Sequence, residues 1–237
     1  MVLSVEYALH YGGQLLECQL QSGYHRGMTT EAGPVKAKLT RRGEQTRQRI
    51  VAAAASLMFE RGVAGTTIEA VQAAATVSAS QLYHYFADKD DLVRAVIEYQ
   101  ADTIVGNQQA ARLDTLAGLR AWRDMVVDLA GRRHGRGGCP LGSLGSQLAE
   151  TDPRARTDLA ASFDRWEAAI EDGLRAMHAS GRLVPEADPA ALALATLAAL
   201  QGGLLLTQMR RDTQPLETAL DAMLSLIASL ASPAGGC

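Results

Sequence analysis

Side chains that can hydrogen-bond to phosphates and to base edges are concentrated in one short stretch of this 237-residue chain. Its central members are small or polar: Ala79, Ser80, Gln81, Tyr83, His84 and Tyr85. Hydroxyl groups can donate to phosphate oxygens, and an amide can pair with adenine. Small side chains would let the backbone approach the bases. The stretch therefore indicates a surface that binds double-stranded DNA, with the polar, solvated face of a helical hairpin as the alternative.

Two short helices must present these side chains. Thr66 and Glu69 form a capping-box pattern, which predicts a two-turn helix with Ile68, Val71 and Ala74 on its apolar face. Before it, a longer helix is expected to end near residue 61, because a glycine follows there.

The second short helix should begin at Ser78, whose hydroxyl can cap it, with Gln81 at the third helical position. As a capping-box partner, Gln81 would turn its amide toward its own backbone, so its role in base contact stays open. Leu82 and Phe86 should face the core. Asp88 then begins a longer helix, with acidic residues in its first turn, where the helix dipole favours them.

The order of these residues resembles the DNA-binding motif of the TetR-type transcriptional repressors. The resemblance covers about fifty residues, from Thr46 to Val96, and lies in four runs: Thr66-Thr67-Ile68, Ala75-Thr76-Val77-Ser78, Leu82-Tyr83-His84-Tyr85-Phe86 and Lys89-Asp90-Asp91-Leu92. Thr76 departs from the pattern, since the family has glycine there. A β-branched residue with positive φ costs about 1–2 kcal/mol, unless the turn is built differently.

The resemblance implies distinct roles for the DNA-binding residues. Thr66, Thr67 and Lys89 would contact phosphates at helix starts. Residues that position the duplex would be Ser78, Tyr83, His84 and Tyr85, and those nearest the bases would be Ala79, Ser80 and Gln81. Ala79 could contact only a thymine methyl group.

The segment before this motif is basic although the whole chain has a net charge of −3. Its cations are Lys36, Lys38, Arg41, Arg42, Arg47 and Arg49. Such a segment can follow the phosphate backbone or enter a minor groove; a solvated basic face is the alternative. We interpret residues 1–40 as a flexible extension carrying this basic arm, and 41–95 as the DNA-binding domain. No signal-peptide pattern occurs at the N-terminus.

The remaining chain reads as helical throughout, which predicts an all-α fold with a larger domain over residues 96–231 and a disordered tail over 232–237. A long apolar helix from about Ala190 to Met209 is followed by a last helix that Pro215 opens. Thr196 and the glutamines interrupt the apolar run, so a buried helix is favoured over a membrane span. We predict that the last two helices form a homodimer interface, with a monomer as the alternative.

The middle region resembles the C-terminal domain of a subgroup of these repressors that respond to drugs, flavonoids or reactive electrophiles. The resemblance lies in Gly138 to Gly142, Phe163 to Trp166 and Gly181 to Leu183. It implies a pocket for a small-molecule effector. Our candidates for its wall are Trp122, Met125, Phe163 and Trp166, which could equally be plain core.

Cys139 is a candidate redox sensor, because Arg132, Arg133, His134 and Arg136 precede it and positive charge favours a thiolate. An inert thiol is the favoured alternative. The three cysteines, Cys18, Cys139 and Cys237, lie far apart, which indicates reduced thiols in the cytoplasm.

No catalytic constellation, metal-ligand spacing or cofactor loop emerges from the sequence. A hydrolase that uses Cys139 is a poor third option. The favoured hypothesis is a homodimeric, ligand-responsive repressor that binds a palindromic operator. The alternative is a helical ligand- or redox-sensing protein without sequence-specific DNA binding.

Overall fold

Residues 39–232 are described by the computed structural model of the chain, and they form nine α-helices. The first four are α1 (Arg41–Arg61), α2 (Ile68–Ala75), α3 (Ala79–Tyr85) and α4 (Lys89–Ala110); the others are α5 (Leu116–Arg132), α6 (Pro140–Leu148), α7 (Pro153–Ala179), α8 (Pro189–Arg210) and α9 (Gln214–Ser229). Within these residues the β structure is a single isolated bridge between Leu183 and Ala231. The predicted all-α fold is confirmed. Most of the expected N-terminal extension, with Lys36, Lys38 and Cys18, lies outside the described residues, as do Cys237 and the tail after Ser232.

Side-chain caps fix the starts of several helices where the sequence predicts them. The Ser78 hydroxyl accepts from the backbone N–H of Gln81, and the Asp88 carboxylate accepts from Asp91. Asp152 caps α7 in the same way. Each such cap satisfies N–H groups that have no partner within the helix, which stabilises the helix by about 1 kcal/mol.

The start of α2 corrects the sequence interpretation. Its N-cap is Thr67, whose hydroxyl accepts from the backbone of Ala70 at 3.2 Å. Because Ala70 stands at the third position, the predicted capping box of Thr66 with Glu69 is wrong. The apolar face of α2 also differs from the predicted one, since Ala74 is exposed and Ala75 is buried in the core.

The first three helices and the start of α4 share one apolar core. Ile50 and Met58 of α1 pack with Val71, Leu82 and other buried residues of the following helices, including Phe86 and Leu92. Leu82 is fully buried, and burying a leucine side chain contributes about 1.5–3 kcal/mol. The two short helices therefore depend on this shared core, since isolated helices of eight residues are not stable in water.

Helix α8 packs against α7 and α9 in the larger domain. At Gly203 the two last helices approach so closely that a Cβ atom would lie 2.9 Å from Leu216 Cα. The small residues of α8 thus permit close packing, as the sequence predicts. Helix α8 is not fully buried, however: Leu194, Leu205 and Met209 stay more than half exposed.

By length and composition α8 could cross a membrane. Its buried residues, which include Ala193, Leu197 and Leu200, belong to the core of this domain. A core helix of a globular protein has the same length and composition.

Candidate DNA-binding face and effector cavity

The turn between α2 and α3 is built on Thr76. This residue is left-handed, with φ 54° and ψ 54°, and the next N–H, that of Val77, donates to Gln72 O at 3.0 Å. The left-handed residue reverses the chain, so that only three residues, 76–78, separate α2 from α3. The backbone strain expected of a threonine at this position is therefore present.

We expect Thr76→Gly to raise the free energy of unfolding by about 0.5–1 kcal/mol. The substitution removes a left-handed penalty of about 1–2 kcal/mol, and the larger entropy loss of glycine offsets part of that gain. Thr76 is exposed, so no core contact is lost. Urea denaturation checks the effect. Ala73→Gly, at an exposed position within α2, is the matched control and should lower stability by about 0.5–1 kcal/mol.

Helix α3 presents one polar face to solvent. Its exposed residues are Ala79, Ser80, Gln81, Tyr83 and His84, with Tyr83 53% exposed. Leu82 lies on the opposite side and anchors the helix in the core. The structure thus brings the predicted base-contact residues together on a single exposed surface.

The amide of Gln81 is held by the capping box. Its Oε1 accepts from the backbone of Ser78 at 3.0 Å, while the Ser78 Oγ accepts from Gln81 N at 3.2 Å. Because the oxygen already accepts this bond, the Nε2 donors are the groups of Gln81 most available to a ligand. These donors match acceptors on base edges rather than the exocyclic amine of adenine.

The residues predicted to contact phosphates differ in whether their side chains are accessible to DNA. Thr66 is 1% exposed and its hydroxyl donates to Gly62 O at 2.8 Å, so the expected contact of its side chain with phosphate is wrong. Thr67 is exposed. Lys89 is half-buried and its Nζ donates to Val63 O at 2.7 Å, which leaves two of its three N–H groups for an outside acceptor. Tyr85 is half-buried and packs edge-on against His84.

Two arginines of the basic segment have internal roles that the sequence pattern did not show. The Arg47 guanidinium lies 5.5 Å from the centre of the Phe86 ring. The Nε of Arg49 donates to Ala75 O, at the C-terminal end of α2, at 2.9 Å. Arg41 and Arg42 are exposed at the start of α1 and stay candidates for phosphate contact.

A cavity of about 200 Å³ lies between α4, α5, α7 and α8. Trp122, Met125 and Trp166 line it, as predicted. Phe163 does not, and the expectation that it forms part of the wall is wrong; its ring stacks on Trp166 with centroids 6.2 Å apart. Polar residues of the wall that sequence reasoning missed are Gln100, Thr103, Asn107, Gln108 and Thr207.

Cys139 also borders the cavity, but as a structural residue. Its Sγ accepts from the backbone of Gly142 at 3.3 Å and thereby caps α6. Burial raises the pKa of the Cys139 thiol, and the hydrogen bond from Gly142 opposes that shift only in part. The expectation that the neighbouring arginines favour a thiolate is wrong for this structure, in which those arginines are exposed. The inert thiol fits its burial better.

The cavity wall touches the DNA-binding domain through the loop between α5 and α6. Gly137 lies against the Phe59 ring of α1 so closely that a Cβ atom would come within 2.0 Å of it. The Arg133 guanidinium covers the same ring at 5.2 Å from its centre. Both Arg133 and the adjoining Gly138 line the cavity. Atoms of the cavity wall are therefore in direct contact with α1.

A second contact joins α6 to the turn after α1. The Gln147 Oε1 accepts from the backbone N–H of Val63 at 2.8 Å, and the carbonyl of the same residue accepts from Lys89. One peptide segment thus carries hydrogen bonds to α6 and to the start of α4. Sequence reasoning missed Gln147, since a lone glutamine on a helix carries no local signal.

Two family models match the chain. Residues 50–96 match the model of the bacterial regulatory proteins of the tetR family, and residues 115–223 match the tetracyclin repressor-like C-terminal domain. An uncharacterized HTH-type transcriptional regulator from Lactococcus lactis is 28% identical over 75% of this chain and 91% of its own length. The HTH-type transcriptional repressor DhaR of a Mycobacterium species is 24% identical over 73% of this chain and 88% of its own.

A solved structure of a TetR transcriptional regulator from Chloroflexus aurantiacus has the same fold. The two share 29% sequence identity and a TM-score of 0.68, over 81% of this chain and 98% of the other. The helix bounds, the exposed α3 face and both family models thus agree on one architecture.

Proposed function

Since this chain belongs to the TetR family of transcriptional regulators, we propose that it represses transcription as a homodimer. The dimer would bind a palindromic operator and leave it when a small molecule enters the cavity. Members of this family are regulators that bind DNA and are not enzymes. The observation that carries the proposal is the presence, in one chain, of an exposed α3 face and of a cavity whose wall touches α1.

The α3 face supports DNA reading by its shape and its chemistry. Small residues at its start would let the backbone lie close to the base edges, and Tyr83 would reach phosphates from the same surface. The arginines at the start of α1 would add sequence-independent affinity, which is expected to fall as salt rises. This surface does not depend on the overall charge of the chain, which is negative.

The exposed apolar residues of the last two helices support the homodimer. Leu194, Leu205 and Met209 of α8 and Leu226 of α9 are each at least 46% exposed. Exposed apolar side chains clustered on adjacent helices indicate an interface. A two-fold dimer formed there would present two α3 helices, and a palindromic site requires these to be about 34–36 Å apart.

Release by a ligand would act through the contacts of the cavity wall with α1. A ligand that fits one arrangement of the loop before α6 better than another shifts the population toward that arrangement. The contacts of Gly137 with Phe59 and of Gln147 with Val63 would carry the shift to the DNA-binding domain. The spacing of the two α3 helices in the dimer would then no longer suit the operator.

Selection of duplexes from a random pool by the purified full-length protein tests the proposal. We expect an inverted repeat to emerge, bound by two copies of the chain and with an affinity that falls as salt rises. Recovery of duplexes without any shared base order would instead support the alternative, a helical sensor that does not read DNA. Titration of small molecules into the selected complex then tests release.

Two substitutions on α3 distinguish a residue that contacts phosphates from a residue that contacts bases. We expect Tyr83→Phe to weaken binding to every duplex by a similar factor of roughly 5–10, because a hydroxyl that contacts phosphate carries no sequence information. Gln81→Glu keeps the oxygen that caps Ser78 but removes the Nε2 donors. It should therefore change the preference at one base-pair position, beside the uniform loss of affinity that its negative charge causes on every duplex. Binding measured on the operator and on its single-base variants checks both effects.

A reversed pattern, in which Tyr83→Phe changes base preference and Gln81→Glu changes only overall affinity, would contradict these roles. Gln81→Glu is preferred to Gln81→Ala here, because the alanine variant would also remove the capping-box bond seen at 3.0 Å. Loss of that bond would lower helix stability and weaken binding to all duplexes.

A further inference from the structure

Two buried polar side chains in the cavity wall have hydrogen-bonding atoms without a partner in the part of the chain that the structure describes. Gln108 is 3% exposed and Thr207 is 1% exposed. Within residues 39–232, no protein atom forms a hydrogen bond with Gln108 Nε2 or Thr207 Oγ1. A buried polar group without a partner costs about 1–3 kcal/mol. Such groups in a cavity wall indicate that a ligand supplies the missing partner.

The hydrogen bond from Trp166 determines which atom of the Gln108 amide is left for a ligand. The indole Nε1–H of Trp166 points at the Gln108 side-chain oxygen. An indole nitrogen only donates, so the amide oxygen must face it and the amide nitrogen is left over. Gln108 therefore offers donors. Gln108 also borders a groove lined by the end of α4, the residues that follow it and α7, whereas Thr207 lines the cavity and not that groove.

Thr207 offers the second donor. The other threonine buried in the same helix, Thr196, gives its hydroxyl proton to the carbonyl of Leu192 one turn earlier, at 2.7 Å. The Thr207 hydroxyl makes no such bond. Its proton is free for an acceptor atom of a ligand, and a carbonyl oxygen is the simplest acceptor for it.

The remaining wall restricts the body of the ligand. Among residues 39–232, no acidic residue lines the cavity, and the two arginines that do, Arg133 and Arg136, are exposed. The deep part is lined by Trp122, Trp166 and aliphatic side chains. Burying a charge beside neutral groups is costly, which favours an uncharged ligand. The volume of about 200 Å³ somewhat exceeds the roughly 150 Å³ apolar cavity that holds benzene in an engineered lysozyme.

We infer that the effector is a small, neutral aromatic carbonyl compound, with a single ring and a ketone, aldehyde or amide group. Its oxygen accepts a hydrogen bond from Thr207, with Gln108 as the second donor, and its ring packs between Trp122 and Trp166. Only the regulatory role of this ligand rests on the proposed function. Its chemical class is inferred from the residues that line the cavity.

Calorimetric titration of the full-length protein without DNA tests the inference with three probes. Acetophenone carries the carbonyl, α-methylstyrene has nearly the same shape without an acceptor oxygen, and benzoate is charged. We expect acetophenone to bind at least ~10-fold more tightly than α-methylstyrene, since a site built of unpaired donors disfavours a ligand that leaves them unpaired. Benzoate should bind more weakly than acetophenone.

The variant Thr207→Val keeps the shape of the side chain and removes the hydroxyl. It should weaken acetophenone by ~10-fold and leave α-methylstyrene unchanged or tighter, whereas Thr207→Ser should keep most of the preference for acetophenone. Circular dichroism confirms that each variant is folded. Equal affinities of acetophenone and α-methylstyrene, tighter binding of benzoate, binding of none of the three, or a preference that Thr207→Val leaves intact would overturn the inference.

Adding the three probes to the operator complex distinguishes a failure of this inference from a failure of the proposed function. Acetophenone that binds with the expected preference but leaves the operator complex intact would count against ligand release and not against the chemistry of the cavity. A selected operator released by benzoate or by α-methylstyrene, but not by acetophenone, would support release and overturn the carbonyl inference.

Discussion

Replacing Leu205 and Met209 by glutamate is expected to convert the dimer to monomers and to weaken operator binding at least ~100-fold. The two residues lie one turn apart on α8 and are 56% and 65% exposed. Two glutamates on each copy would place four like charges in an interface that must exclude water, which costs several kcal/mol. A monomer presents one α3 helix and loses the linked binding of the second half-site. Sedimentation equilibrium and operator titration measure the two effects.

Tyr99→Glu is the matched control for this double substitution. Tyr99 is an apolar residue of α4 with 39% exposure, and it receives the same charged side chain away from α8 and α9. We expect Tyr99→Glu to leave the dimer and operator affinity within about twofold of the unchanged protein, as is usual for surface substitutions. A double variant that stays dimeric would show that α8 is not the interface. A monomeric variant that keeps full affinity would show that dimerisation does not provide it.

Local signals allowed much of the DNA-binding domain to be predicted from the sequence. The Ser78 and Asp88 caps each join residues three positions apart, so the local side chains and backbone decide them. Thr66 and Thr67 show the limit of such signals. Both can cap a helix, and tertiary packing buried Thr66 and left Thr67 in the capping position.

The cavity and its contacts with α1 could not be predicted in the same way. The hydrogen bond of Gln108 to Trp166 joins residues 58 positions apart, and that of Val63 to Gln147 joins residues 84 positions apart. Apolar periodicity located Trp122 and Trp166 on helices, but it cannot separate a residue that borders a void from one that packs on its neighbour. For that reason Phe163 was wrongly predicted to line the cavity: its ring stacks on the ring of Trp166, which does line it.

Through these long-range contacts, residues of the DNA-binding domain touch residues that line or adjoin the cavity. Phe59 of α1 touches the loop: Gly137 lies against its ring, and the Arg133 guanidinium covers the ring. Because the loop also forms the cavity rim, a shift of the rim must either move Phe59 or break this contact. Coupling between the two sites should therefore depend on the ring.

We accordingly expect Phe59→Ala to remove most of the effect of the effector on operator binding. The coupling factor is the ratio of the operator Kd with and without saturating effector. Coupling factors are typically about 5–150-fold, and that of the variant should fall toward 1. Operator affinity without effector should change much less, because Phe59 lies outside the α3 face and is only half-buried. Operator titrations with and without effector measure the factor.

Glu60→Ala is the control, since Glu60 is the next residue of α1 and its side chain is exposed. It should keep the coupling factor of the unchanged protein. Calorimetry with the effector alone separates lost coupling from lost binding, because the Phe59 ring is not part of the cavity wall. A Phe59→Ala protein that binds effector and releases the operator normally would show that the coupling does not depend on this contact. A protein that no longer binds effector would show that the ring supports the cavity itself.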